Sequence, residues 1–320
     1  MTGVKLSNKK LEKENKVHAI KKSIKNNWDL YLLLLLPVTY FLVFKYRPMA
    51  GLIIAFKNYK FNLGYWRSPW ASAFGFGNFI RFFQNAYFSE IMWNTLSLSL
   101  LQLICSFPVP ILLAVIMNEL RSKSLKKGLQ LITYAPHFIS TVILVAIMEA
   151  MMNPNTGVFN ALITACGGEA VYFFGKPEYF RPMYILSGIW QNSGYSSIIY
   201  LAALSNIDPQ LIESARIDGA NRLQIIRSIT LPALIPTAVI LLIMNSGKVM
   251  SVGFEKVYLM QNTMNVRASE VISTYVYKSG IESAQFSYST AVGLFNSVIN
   301  IVLLLIVNQV SKKLTETSLW

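Results

Sequence analysis

The apolar residues of this chain gather into long uncharged runs separated by shorter polar, basic or aromatic segments. A run of about 20 residues is the length a helix needs to cross the hydrocarbon layer of a bilayer. Six such spans are predicted. The first covers residues 28–46, with a leucine run at 32–36 and Pro37 at its centre. The second, 96–117, is uncharged; Pro108 and Pro110 predict a kink in it whose freed carbonyls neighbouring helices must satisfy. The third covers 129–148 and contains Pro136 and His137, and the fourth covers 183–204. The fifth begins at Leu231, passes Gly247 and Lys248 and is predicted to end near Phe254; the sixth lies within 284–311. The segment between the first two spans has one short apolar stretch, 53–56, and many aromatics, which places it at the outer interface. Residues 153–182, with turn signals at Asn153-Pro154 and Gly167-Gly168, and 255–288 read as outer segments.

Between the fourth and fifth spans lies a stretch of different character. Asp208 followed by Pro209 is a helix-start signal, an N-cap with proline in the first turn. A helix of two to three turns is predicted from there, with Leu211, Ile212 and Ala215 on one side. Gly219 then lets the backbone change direction. A second short helix carries Leu223, Ile225, Ile226 and Ile229, and Leu231-Pro232 leads into the fifth span.

These residues carry a resemblance. Glu213, Ser214, Ala215, Asp218, Gly219 and Ala220, followed by Ile229, Leu231 and Pro232, fall on the signature loop of membrane subunits of binding-protein-dependent ABC importers. Ser214 stands where that pattern has alanine, a small-for-small change. The resemblance continues elsewhere. Phe76-Gly77-Asn78-Phe79 with Asn94-Thr95-Leu96 is similar to the start of the family's core region. Tyr59-Lys60-Phe61, the stretch 253–259, the stretch 271–277, Phe286-Ser287-Tyr288 and the stretch 290–296 resemble its sugar branch, and within that the permeases of complex oligosaccharides and polysaccharides. The resemblance implies the type I ABC importer permease fold, with six spans and both termini cytoplasmic. It implies a loop, 206–232, that docks on a separate ATPase subunit. It implies a second, similar permease as heterodimer partner, two ATPase subunits that bind ATP and Mg, and an extracytoplasmic sugar-binding protein. The expected activity is import of an oligosaccharide or polysaccharide by alternating access.

Composition agrees with a membrane protein: 53% of the 320 residues are hydrophobic and 14% charged, against roughly 25% charged in soluble domains. The net charge of +14 does not point to nucleic acid, because the basic residues flank apolar runs. Residues 1–28 hold eight lysines and predict a cytoplasmic amino terminus. With six spans, 17 of the 29 Lys and Arg fall inside. The chain then divides into a basic cytoplasmic tail (1–28), a first span with its outer interfacial segment (29–95), a core permease domain (96–311) and a cytoplasmic tail (312–320). Cys105 and Cys166 lie too far apart in this topology to pair.

Polar residues inside spans face a pathway or a partner helix. Ser187, Gln191 and Tyr195 share one face of the fourth span, bordered by Asn192 and Ser196. Asn245, Lys248 and Glu255 fall near one face of the fifth, and Ser289, Gly293, Asn296 and Asn300 near one face of the sixth. Together they outline a polar lumen, with Trp190, Tyr195 and Tyr258 as its aromatic platforms. Helix adhesion through small and amide side chains is the competing reading, to which Gly293 and Asn300 are assigned. Outward lysines and arginines would suit an acidic glycan. No phosphate-binding glycine loop, metal-site motif or nucleophile elbow occurs. The chain is therefore expected to be a non-enzymatic permease subunit that binds no cofactor itself. An ion-driven secondary transporter using His137, Glu149 and Lys248 as relays, and a membrane assembly subunit with no pathway, are the alternatives.

Overall fold

The computed structural model describes residues 25–315, with side chains described through 313. Most of the two predicted tails lies outside these residues. Among the described residues there is no β-strand; one isolated antiparallel bridge pairs Lys57 with Trp70. The helices that organise the chain are α1 (Trp28–Phe56), α2 (Phe88–Glu119), α3 (Lys123–Tyr134), α4 (Thr141–Met152), α5 (Pro177–Leu204), α6 (Pro209–Ile217), α7 (Arg222–Ser246), α8 (Phe254–Met260), α9 (Ile272–Tyr277) and α10 (Phe286–Thr315).

By length and apolarity α1, α2, α7 and α10 can each cross a membrane. The third predicted span is not straight: Lys123–Phe138 and Thr141–Met152 meet at a bend of 100°. A five-span count therefore holds if that pair is one broken span. α5, the fourth predicted span, has 28 residues but is not among the apolar ones, because Gln191, Asn192 and its serines dilute it. The fifth span stops earlier than expected, at Ser246 rather than near Phe254. There Asn300 of α10 takes the chain over: its Oδ1 accepts from the Met250 N–H at 2.9 Å and its Nδ2 donates to Ser251 Oγ at 3.0 Å.

α5 is the axis of the bundle. It packs against both halves of α2 and against α3, α7 and α8. Towards its amino end Phe180, Met183, Tyr184 and Ile185 join Leu98, Leu144, Met148 and Val257 in one buried cluster. Towards its carboxyl end Tyr200 and Leu204 join Ala114, Val115 and Leu234 in another. A third cluster, away from α5, holds Phe82, Ile91, Met250, Ile272, Tyr288 and Val292.

Lipid is as apolar as leucine, so helices in a bilayer associate through close packing of small residues rather than through hydrophobic burial. Gly188, Ser193, Gly194 and Ser197 are all buried on α5. At Gly194 the approach of α3 is so close that a Cβ would collide with the Thr133 carbonyl. Gly293 behaves differently from expectation: nothing lies within 4 Å of where its Cβ would be, so it is not a contact glycine in this chain.

The bend between α3 and α4 exposes backbone that no helix satisfies. Pro136 supplies no N–H, and Ile139 is extended. The free groups find partners nonetheless. The Ile143 N–H donates to Ser140 Oγ at 3.4 Å, and Gln191 Nε2 of α5 donates to the Ile139 carbonyl at 2.8 Å. His137 Nδ1 lies 3.1 Å from Asn192 Oδ1, and its ring stacks on Tyr195 at 4.0 Å with the planes 6° apart.

Two predictions concern the glycines of this packing. Gly194→Val should separate α3 from α5 and lower stability by about 1–3 kcal/mol, the usual overpacking cost. Gly293→Ala should be neutral or gain about 0.5–1 kcal/mol of helix stability. Thermal melts of detergent-solubilised protein, followed by size-exclusion chromatography, separate the two. Gln191→Leu should cost about 1–3 kcal/mol by leaving the Ile139 carbonyl unpaired, read in the same melt.

Candidate functional site

The motif stretch forms a free-standing arm. The Asp208 side chain accepts from the Gln210 N–H at 2.9 Å and starts α6, with Pro209 in its first turn. At the other end the Gly219 N–H reaches the Arg216 carbonyl at 3.1 Å, and the Ala220 N–H reaches the Ala215 carbonyl at 2.9 Å. This pair of bonds is a Schellman cap, and it requires the left-handed φ of +82° that Gly219 adopts. Asn221 then starts the next helix through a reciprocal capping box: its Oδ1 accepts from Gln224 N, and Gln224 Oε1 accepts from Asn221 N.

The arm therefore closes its own backbone bonds at both helix ends. No residue of α6 is buried. Glu213, Ser214, Asp218 and Gly219 are exposed, and Ala215 and Ala220 are half-buried. Leu211, Ile217 and Leu223 stand 54%, 86% and 74% exposed along it.

Beyond the arm the structure differs from expectation in one respect. The second short helix does not end at Leu231-Pro232 but runs unbroken into the span as α7. Pro232 has no N–H for the carbonyl one turn back, and a π-turn over Ile226–Thr230 absorbs the defect, with Leu231 N–H bonding the Ile226 carbonyl. Thr230 is buried at 1%, while Ile229 is half-buried and Leu231 and Pro232 face outward.

A second site lies between α2, α5 and the end of α7: a cavity of about 450 Å³. Its polar wall carries Ser99, Gln102, Ser106, Tyr184, Ser196, Tyr200, Asn245 and Lys248. Asn245 and Lys248 were expected in a lumen. Gln102, Tyr184 and Tyr200 were not singled out. A signal existed, since Gln102 is the only amide in the uncharged run 96–117 and shares a helical face with Ser99 and Ser106. Gln102 Nε2 donates to Ser106 Oγ, and Gln102 Oε1 is buried without a partner.

The other residues of the expected lumen fall elsewhere. Gln191, Asn192 and Tyr195 grip the α3–α4 bend, and Trp190 is exposed beside them. Glu255 is exposed on α8. Tyr258 stacks with Phe254 at 5.4 Å, meets Tyr277 edge-on at 5.2 Å and donates to Glu282 at 3.2 Å, a bond that raises its phenol above the usual tyrosine value. Asn296 sits within α10 with its Oδ1 buried and unpartnered. Among the described residues no cluster of metal-ligating side chains occurs.

Beside the cavity lies Lys256 of α8, 9% exposed. Its ammonium donates to the Tyr184 carbonyl at 2.9 Å and sits 4.7 Å over the Tyr184 ring. Burial pulls it down to about 8 from the ordinary lysine value. The connecting segments that surround it are wired to one another. Asn265 Nδ2 donates to the Phe174 and Met260 carbonyls at 3.0 and 2.9 Å, and Lys278 pairs with Glu270 at 2.7 Å. Stretches that carried the sugar-branch resemblance meet in space: Tyr59 N–H bonds Ser287 Oγ at 2.8 Å, and the hydroxyls of Tyr275 and Tyr288 lie 2.8 Å apart.

Residues 106–316 match the family described as "Binding-protein-dependent transport system inner membrane component". Protein LplB of Bacillus subtilis (strain 168) is 43% identical over 298 residues, 93% of either chain. The polygalacturonan/rhamnogalacturonan transport system permease protein YteP of the same organism is 43% identical over 309 residues, 97% of this chain and 95% of that one. The crystal structure of a bacterial ABC transporter involved in the import of the acidic polysaccharide alginate contains a chain that superposes with a TM-score of 0.86 at 43% identity, covering 92% of this chain and 99% of that chain. A second structure, the alginate transporter in complex with an alginate pentasaccharide-bound periplasmic protein, gives 0.85 over 93% and 99%. The chain belongs to the family of inner membrane components of binding-protein-dependent transport systems, the permeases of bacterial ABC transporters, and resides in the bacterial cytoplasmic membrane.

Proposed function

We propose that this chain is one permease of a heterodimeric importer for an acidic oligosaccharide released from a polysaccharide. Two ATPase subunits that bind ATP and Mg drive it, and an extracytoplasmic binding protein feeds it. The chain itself binds no cofactor. The substrate class rests on relatives whose names specify polygalacturonan, rhamnogalacturonan and alginate. Six crossings are counted by taking α3–α4 as one broken span and α5, about 42 Å long, as another. That even number puts both termini on the cytoplasmic side with the lysines of 1–28. The most apolar stretch of α1 has no buried residue, which suits a helix shared between lipid and the second permease.

The observation that carries the coupling role is the α6 arm, capped within itself yet exposing Leu211, Ile217 and Leu223. These exposed apolar side chains, with Glu213 beside them, fit a cleft on an ATPase, and Gly219 fixes the angle of the arm. Asn245 and Lys248 face the pathway on the cavity wall. Trp190, Gln191, Asn192, Tyr195, Glu255, Tyr258 and Asn296 bear on the pathway through the shape of its walls and outer mouth.

The reading is tested by co-purifying the tagged chain from its native membrane and assaying ATPase and sugar uptake. Glu213→Lys should lose the co-eluting ATPase. Gly219→Pro should leave the chain inserted but reduce uptake at least tenfold, because proline cannot adopt a positive φ. Normal uptake by Gly219→Pro would sink the docking role.

A further inference from the structure

Away from the cavity between α2, α5 and α7, another hollow opens beside the short helix Gly77–Phe83. It is a basin of about 490 Å³ whose polar wall is Ser72, Arg81, Gln84 and Asn85. Arg81 is its one charged side chain, and no acid lines it. The Arg81 guanidinium lies 4.6 Å over the ring of Tyr288 and, among the described residues, has no carboxylate within 4.0 Å. Tyr288 is buried, and its hydroxyl lies 2.8 Å from that of Tyr275, to which Asn85 Nδ2 donates at 2.8 Å. The cation is thereby held at a set height on α10.

That height can be counted. Tyr288 stands 24 residues before Lys312, the first charged residue of α10. At the rise of a helix this is about 36 Å. The hydrocarbon of a bilayer is about 30 Å thick, and its headgroup layers bring the total to about 40–45 Å. With Lys312 at one edge, Tyr288 and the guanidinium over it come to the headgroup layer at the other. Phe295 and Val302 follow Tyr288 at seven-residue intervals, on the same face of α10 and inside the hydrocarbon, with Val298 and Ile306 beside them. The ring of Phe83 meets that of Phe295 at 5.3 Å. Phe83, Val298, Val302 and Ile306 are all exposed. A guanidinium free of acids thus stands at the top of an open apolar track.

An anion at headgroup height with an alkyl chain beneath it is the plan of a glycerophospholipid. A soluble anion would fill the basin and leave the track bare, and a partner helix would cover the track and leave the guanidinium without an anion. We infer that basin and track together bind an anionic glycerophospholipid of the outer leaflet. Its phosphate lies on Arg81, with Gln84 and Ser72 beside it, and one acyl chain runs along Phe83, Phe295 and Val302. From the reading above the inference takes only the side on which Lys312 and Lys313 lie, and it is independent of the glycan imported. The competing role for Arg81 is structural, bracing the Gly77–Phe83 helix on Tyr288.

The test uses the complete complex, purified from its native membrane and placed in phosphatidylcholine nanodiscs. These carry equal shares of either phosphatidylglycerol or diacylglycerol, each with a photoreactive diazirine on one acyl chain. The quantity read is the ratio of phosphatidylglycerol to diacylglycerol cross-linked to residues 295–306. It should be about tenfold in the unsubstituted complex, the scale of one charge-assisted hydrogen bond, fall to near one in Arg81→Gln, and stay high in Arg81→Lys. Equal capture of the two lipids, an unchanged ratio in Arg81→Gln, or parallel loss of both lipids in that variant would overturn the site. So would the absence of any capture on 295–306, which would give the track to a protein partner. Displacement of phosphatidylglycerol by inorganic phosphate or by an oligogalacturonate would overturn it in favour of a soluble anion. If Arg81→Gln does not assemble, the ratio in the unsubstituted complex and its resistance to the two soluble anions decide alone. ATP hydrolysis in the same nanodiscs reports on the importer separately, so a failed lipid site and a failed importer reading are told apart.

Discussion

A bilayer offers a stray carbonyl or N–H nothing to bond, and this fold turns on how that demand is met at one place. The α3–α4 bend would be untenable in lipid if its backbone were left open. It is tenable because α5 lies alongside and lends Gln191 to the Ile139 carbonyl and Asn192 to His137. α5 can lie that close because Gly194 and its small neighbours let its backbone touch that of α3. The polar content that makes α5 the least apolar of the long helices is thus what allows another helix to break. The two buried clusters along its length then align α2, α4, α7 and α8 around it.

The caps of the arm and the family were legible in the residues themselves. Asp208-Pro209, Gly219 and the spacing from Glu213 to Pro232 act locally, through caps and φ angles, and local rules need no tertiary knowledge. The break after Pro136 was not legible as a right-angled bend, because a proline in an apolar run is compatible with a mild kink whenever a neighbour accepts the strain. What decides is Gln191, some fifty residues away in sequence. The same limit explains the lumen. Helical spacing put Gln191, Asn192 and Tyr195 on one face correctly, but a face does not say what it faces, and this one meets the bend.

The end of the fifth span was missed for a related reason. Hydropathy carries on past Gly247, yet Asn300 captures the Met250 N–H and Ser251 and ends the helix. Gln102 was overlooked because a single amide in an uncharged run is a weak signal beside the three richer polar stripes. That its Oε1 is buried without a partner is a property of the packed helices, not of the run in which it lies.

The continuity of α7 has a mechanical consequence. From Arg222 to Ser246 it is one rod of 25 residues, about 37 Å from end to end. One end grows directly out of the self-capped arm, and the other carries Asn245 and abuts Lys248 at the cavity. The π-turn takes up the N–H that Pro232 lacks, and with Pro236 also inside it the helix still runs without a break, so a displacement at one end is carried to the other. A tilt of about 5° at its base sweeps its tip through about 3 Å, by the rise of a helix alone, which is a full hydrogen-bond length. The π-turn at Ile226–Thr230 thus makes a surface arm and a cavity wall the two ends of a single lever.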